Sequence, residues 1–278
     1  MTAPPLDAAA ETVGASGASA ATVGFGNLLV SEWTKLRTVR STYLTALFAA
    51  FGAVAVAVAI CVRYAQEYST MSPDDRQGDL TNFSLSGLYL AQVALGALGV
   101  LVISGEYGTG MIRATLAAVP QRRLVLAAKG LVLTGATVLL GEAVSFAAFG
   151  LGQAILSGKH LGVSLADPGA LRAVAGAGLY LAATALLGFG LGALIRHSAG
   201  ALSALFGLLY ATTALIDTLP TAWRDHVINY MPVNAGSQVM AVSHTPGALG
   251  AWTGLAVFLC YPAAAIVLAA VLIERRDS

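Results

Sequence analysis

Six stretches of this chain, 43–62, 85–104, 131–156, 173–195, 199–219 and 251–273, are nearly free of charge and long enough to cross a bilayer. A spanning helix needs about 20 mainly apolar residues, each adding ~1.5 Å against a hydrocarbon core of ~30 Å. The expected fold is therefore all-α and integral to a membrane, with six transmembrane helices. Composition leaves little alternative. Of 278 residues, 57% are hydrophobic and 10% charged, against roughly 25% charged in ordinary soluble domains. A soluble globule must still face water with part of its surface and could not hide this excess.

The details refine that outline. The third run is longer than a crossing requires, so it tilts or starts in the interface. The fourth and fifth are separated only by Arg196-His197-Ser198 and must form a tight helical hairpin. Pro262 lies inside the sixth, where a kink is expected and neighbouring helices re-satisfy the freed carbonyl. Residues 1–26 are rich in Ala, Gly, Ser and Thr, lack Lys and Arg, and read as a disordered cytoplasmic tail rather than a cleavable signal. Residues 27–278 form one membrane domain. With the N-terminus inside, ten basic residues fall in cytoplasmic segments and five in outer ones, which places both termini in the cytoplasm of a multi-pass plasma- or inner-membrane protein. The net charge of +1 offers no clustered basic face for nucleic acid. Cys61 and Cys260 lie in apolar runs and read as buried inert thiols.

Before the first run, Leu29, Trp33, Leu36, Val39 or Arg40, and Tyr43 recur at three- and four-residue steps, while Glu32, Lys35 and Thr38 fall away from that stripe. The pattern predicts an amphipathic helix in the interface plane, with Trp33 at headgroup depth and Arg37 or Arg40 near anionic lipid. A plain helical extension of the first span is the alternative.

The inner loop between the second and third runs is expected from Gly105 to about Gly130. Gly105, Gly108 and Gly110 permit sharp turns, and Met111, Ile112, Thr115, Leu116 and Val119 have the spacing of a short amphipathic helix that Pro120 ends. Arg122, Arg123 and Lys129 follow. Such a surface helix suits docking to another protein; a simple positive-inside loop would explain the basic residues but not Glu106 or the glycines.

The stretch Gly105-Glu106-Tyr107-Gly108-Thr109-Gly110-Met111-Ile112-Arg113, then Val119-Pro120-Gln121-Arg122-Arg123 and Ala128-Lys129, resembles the inner loop of ABC type-2 transporter permeases. Ser31-Glu32-Trp33-Thr34-Lys35-Leu36-Arg37 is similar to the amphipathic N-terminal segment of actinobacterial members, and the Arg196-His197-Ser198 turn to their short fourth-to-fifth connection. Tyr230-Met231-Pro232-Val233-Asn234-Ala235-Gly236 is similar to the stretch before their last span. The chain departs from the family at Gly108-Thr109, where members carry a basic or polar residue. The resemblance spans roughly 28–275. It implies the transmembrane permease subunit of an exporter, working as a dimer with a separate ATP-binding-cassette subunit that holds ATP and Mg. Glu106, Thr109, Arg113, Pro120, Arg122 and Arg123 would then form or brace the coupling surface.

Nucleotide chemistry is not expected in this chain itself. No Gly-x-x-x-x-Gly-Lys-(Ser/Thr) cradle occurs; Gly158-Lys159-His160 lacks the upstream glycine and the hydroxyl. Glu142 is the one acidic residue deep in a span. A carboxylate there faces protein or a wet cavity, and Glu142 reads equally as a translocation element or as a protonated structural group; Gly135, Val138, Ser145 and Phe149 share its face. Gly188 and Gly192, around Gly190, have helix-packing spacing. Asp217, Trp223, Arg224, Asp225 and His226 sit at the outer end of the fifth run, and the loop up to His244 is expected to dip back into the membrane. The histidines are too dispersed for zinc. An ion-gradient carrier would show serial intramembrane charges or repeated broken helices. An intramembrane enzyme would show a motif such as His-Glu-x-x-His, which is missing. A non-transporting immunity or scaffold protein on the same fold stays open. The neutral spans favour an amphipathic or hydrophobic cargo.

Overall fold

The computed structural model describes residues 24–72, 79–112, 121–216, 218, 220, 224, 227–243 and 246–276. Regular structure among them is entirely helical. Five helical stretches are long and apolar enough to cross a membrane: Thr42–Glu67, Leu80–Gly108, Arg122–Ser157, Ala170–Ile195 and Ala251–Ile273. They coincide with five of the six expected runs, as befits a multi-pass membrane protein.

The described part begins with helix α1 (Phe25–Thr38), which breaks at one extended residue, Val39 (φ −76°, ψ 105°), before α2 (Arg40–Glu67). The N-terminal segment is thus a helix of its own and not an extension of the first span. A short α3 (Leu80–Leu85) follows, capped by the Asp79 carboxylate accepting from Thr81 N and Asn82 N. The Ser86-Gly87 turn leads into α4 (Leu88–Gly108). Helix α5 (Arg122–Ser157) is about 54 Å long at ~1.5 Å per residue, far more than a bilayer core.

Two sequence expectations are corrected here. The polar connection is 109–121 rather than 105–130, because α4 runs on through Gly105 to Gly108 and α5 starts at Arg122. Of the three glycines expected to turn the chain, only Gly110 has a positive φ, +72°; the other two are helical. Of the amphipathic segment only Met111 and Ile112 are described, and they are helical; the rest, Arg113 and Pro120 included, lies outside the described residues, as do Asp217, Trp223, Asp225, His226 and His244.

Helix α6 (Ala170–Ile195) is the shaft of the bundle: 72% of its most apolar window is buried, against 22% for α2 and 28% for the last helix. It sits against α4 with no side chain between the backbones. A methyl group at Gly99 would lie 1.9 Å from the Ala185 carbonyl, and one at Gly188 would lie 2.1 Å from that of Gly96. The pairs 96/188 and 103/192 rise together, so these helices run parallel. Gly188 and Gly192 face α4, while Gly190 faces Ala265 and Ile266 of α10 (Ala251–Arg276). The sequence expectation of helix packing is met, with two partners rather than one. Helix α10 continues through Pro262.

The fifth apolar run differs from the others. It comprises α7 (Ser198–Phe206), a π-helical turn at Gly207–Ala211, and α8 (Thr212–Ile216). The expected hairpin before it is present: Arg196 takes a left-handed conformation (φ 60°), and His197 Nδ1 accepts from Gly200 N to cap α7. After the fifth run, residues 228–243 fold inward as α9 (Pro232–Ser237) between two 3-10 turns, Ile228–Tyr230 and Gln238–Met240. Pro232 at the first helical position suits its missing N–H. Gly236 packs on Tyr180 and Phe258, and Arg172 donates to the carbonyls of Val239 and Ala241. The segment thus packs against α6 and α10.

Gln92 on α4 is fully buried, yet neither its amide nitrogen nor its oxygen has a partner among the described residues. Removing an unpaired buried polar group in favour of an apolar one of similar shape is neutral to favourable. Gln92→Met should therefore raise stability in detergent by about 1 kcal/mol, and a drop on the same unfolding assay would reveal a bonded amide.

Candidate functional site

Four charges meet where α1, α4 and α5 converge. On α1, Leu28, Glu32 and Lys35 share one face by their four- and three-residue spacing, and Leu28 packs with Val125 and Ala128 of α5. That contact sets Glu32 beside Lys129. Glu106, in the last turn of α4, completes the group. The Lys129 ammonium donates to Glu32 Oε2 at 2.5 Å and to Glu106 Oε1 at 2.7 Å. Lys35 donates to Glu32 Oε1 at 2.7 Å and reaches Glu106 Oε1 at 3.4 Å. The side chains of Lys129 and Glu32 are each 3% exposed.

Charge arithmetic explains how such a group is tolerated. Two carboxylates and two ammoniums alternate, so each buried ion has an opposite neighbour at hydrogen-bond distance. Desolvation of buried ions is expensive, and pairing of this quality offsets it without adding much net stability. The arrangement contributes geometry instead, because none of the three helices can slide without unpairing a buried charge.

Burial alone would lower the Lys35 pKa, but the carboxylates of Glu32 and Glu106 outweigh it and hold the ammonium above its ordinary value. A raised folded-state pKa means that this contribution is fully present below the unfolded value, about 10.4, and is lost only as pH rises through the folded one. Between pH 7 and 9 the unfolding midpoint should show no step that Lys35→Met removes; such a step would contradict the ion pairing.

The end of α4 is also tied to the α6–α7 turn. Ser104 Oγ and Ser198 Oγ are 2.8 Å apart, and the Arg196 guanidinium lies 5.1 Å from the centre of the Tyr107 ring. The final turn of α4 therefore contacts α1, α5 and the hairpin turn together.

The residues singled out from sequence separate into groups. Glu106, Glu32 and Lys35 are gathered in the cluster. Thr109 caps α4, its hydroxyl donating to Gly105 O. Arg122 donates to the carbonyl of Ile273, fastening the start of α5 to α10. Arg123 is exposed beside it, and Trp33, Arg37 and Arg40 are exposed on α1 and at the start of α2. Trp33 is 41% exposed, and Glu32, which falls away from the apolar stripe, is buried. Lys129 makes the protein interior the better solvent for that carboxylate. Glu142 stands apart, about 20 Å along α5 from Lys129. It is half-buried, and its carboxyl rests over Gly178 of α6, which has no side chain to obstruct it. Nearby, Ser145 Oγ donates to Val174 O.

Lys129 is the member that a loop-centred reading underrates. The signal was a lone lysine in the otherwise uncharged run 124–141, which requires a buried acid to match it. Among the described residues no three His, Cys, Asp or Glu side chains could hold a metal ion together. Cys61 is buried and Cys260 exposed, contrary to the expectation of two buried thiols; both are free. Comparison with known proteins found no matching family model, no similar curated protein and no similar solved structure.

Proposed function

We propose that this chain is the membrane-embedded permease subunit of an ATP-driven exporter of the ABC type-2 class that it resembles. In this reading it crosses the membrane six times with both termini in the cytoplasm. The fifth crossing is the run 198–216, about 28 Å long at ~1.5 Å per residue and so matched to a ~30 Å core. A second permease copy and a cytoplasmic ATPase complete the transporter. ATP and Mg belong to that ATPase, and the cargo is amphipathic or hydrophobic.

The observation that carries the reading is the buried ionic cluster at the base of loop 109–121. Glu106 and Lys129 join the two helices that the loop connects, and Glu32 and Lys35 join both to α1. A force applied to the loop by a docked subunit would reach three helices as one body. Parallel α4 and α6, packed backbone to backbone, would carry it into the core. A bistable response to nucleotide then needs only differential docking in the two states.

The test is co-expression of the chain with the ATPase subunit encoded beside it. ATP hydrolysis sensitive to vanadate should appear only in the mixed complex in lipid nanodiscs, and Glu106→Gln should reduce its coupling to export. A mixed preparation that neither associates nor hydrolyses ATP would end this reading.

A further inference from the structure

Glu142 stands near the middle of its crossing, about 20 Å along α5 from Lys129 and about 22 Å from the outer end at Ser157. It makes no hydrogen bond or ion pair among the described residues. The adjoining helix α6 offers Arg172, but that guanidinium is committed to the carbonyls of Val239 and Ala241. A bare carboxylate bordered by hydrocarbon is costly, so its charge is matched from outside the chain, by a proton or by a cationic guest.

The geometry leaves this carboxyl open. A methyl group at Gly141 would lie 2.7 Å from the Gly178 carbonyl, so α5 and α6 touch backbone to backbone there. Glu142 is one residue, about 100°, further round α5, at the edge of that seam, and Gly178 leaves room for its carboxyl. Gln92 and Tyr180 have polar atoms sealed in the core, whereas both Glu142 oxygens reach the surface. Leu139 and Phe146, three residues before and four after, border Glu142 on the outward side and are 69% and 37% exposed. Helical side chains lean toward the preceding turn, which brings the Phe146 ring toward the carboxyl. A proton requires no such opening. An open carboxylate beside an aromatic face is what a larger cation requires, touching both at once, and the hydrocarbon around it restricts that cation to a lipophilic one.

We propose that Glu142 and Phe146 form a bilayer-facing site for a lipophilic monocation. In the exporter reading this occupant is the cargo, and its role rests on that reading. Binding itself needs no ATPase, so the two are separable: absent binding beside an active mixed complex strikes this inference alone, and binding to a chain that forms no active complex strikes the exporter reading alone.

The test uses the full-length chain in phosphatidylcholine nanodiscs, with tetraphenylphosphonium as probe and tetraphenylborate, of the same shape and opposite charge, as control. Equilibrium dialysis against empty nanodiscs reads the binding. The phosphonium should show a saturable component that the borate lacks. Glu142→Gln, nearly isosteric but uncharged, should weaken it at least about tenfold, the scale of one lost charge pairing, with an unchanged unfolding midpoint showing that the protein is folded. Glu142→Asp should retain part of the binding, and Phe146→Leu should weaken it about two- to fivefold, as expected for one cation–π contact. No saturable component would mean that the carboxyl carries a proton only, and would overturn the proposal. Equal binding of the borate, or undiminished binding in Glu142→Gln, would overturn it as well.

Discussion

Lys129→Met should cost the folded protein about 3–5 kcal/mol, the loss expected when one partner of a buried ion pair is removed. The substitution changes volume little, so the effect is electrostatic. It takes away the ammonium that holds Glu32 Oε2 and Glu106 Oε1 together, leaving two buried carboxylates with Lys35 as the remaining cation. Unfolding by denaturant in mixed micelles would read the loss. A second variant separates pairing from packing: inverting all four charges together, Glu32→Lys, Lys35→Glu, Glu106→Lys and Lys129→Glu, keeps every opposite neighbour and should be milder than Lys129→Met alone. Replacing Glu32, Lys35, Glu106 and Lys129 together by apolar residues should also be much milder than the single substitution, because no ion is then left unpaired. If Lys129→Met cost less than about 1 kcal/mol, the cluster would not be a dry one.

Gly99→Leu should be nearly as severe, at about 3 kcal/mol, the upper end for overpacking. Any side chain there meets backbone, not a movable neighbour: the Ala185 carbonyl oxygen at 1.9 Å and the Phe189 nitrogen at 3.0 Å from the new Cβ. Helix α4 would have to move off α6 along the seam that also holds Gly96 and Gly188. In lipid, where close packing and hydrogen bonds replace the hydrophobic effect between helices, such separation is not repaid. Gly135→Leu is the control. Nothing lies within 4 Å of a methyl group there, and its midpoint should stay near that of the parent.

These two sites also show what could and could not be read from the chain. Crossing helices are legible because hydropathy is summed over many residues, so five of the six runs appear as long apolar helices with slightly extended ends. The start of α5 was hidden because Arg122, Arg123 and Lys129 look like loop charges. Each is local in sequence, but what neutralises or caps them is not. The partners of Lys129 lie 97 and 23 residues away, and the carbonyl bonded by Arg122 lies 151 away. What the polar face of α1 meets was hidden for the same reason, since an amphipathic stripe says which face is apolar but not which solvent its polar face finds. The glycine seam was visible as spacing, whereas its two partners, α4 and α10, depend on tertiary placement. No residue type announced the π-turn at Gly207–Ala211, or the break at Val39, which lacks both Gly and Pro.

The coupling role assigned to the elbow between α4 and α5 is tested most directly from Met111, which is 50% exposed at the start of that connection. With Cys61 and Cys260 replaced by alanine, Met111→Cys carrying a photoreactive maleimide would be irradiated in native membranes and its adduct identified by mass spectrometry. The adduct should be a subunit whose sequence contains the Gly-x-x-x-x-Gly-Lys-(Ser/Thr) phosphate cradle, and its yield should change when ATP and vanadate are added. Reaction with lipid alone, or an adduct that is indifferent to nucleotide, would contradict it.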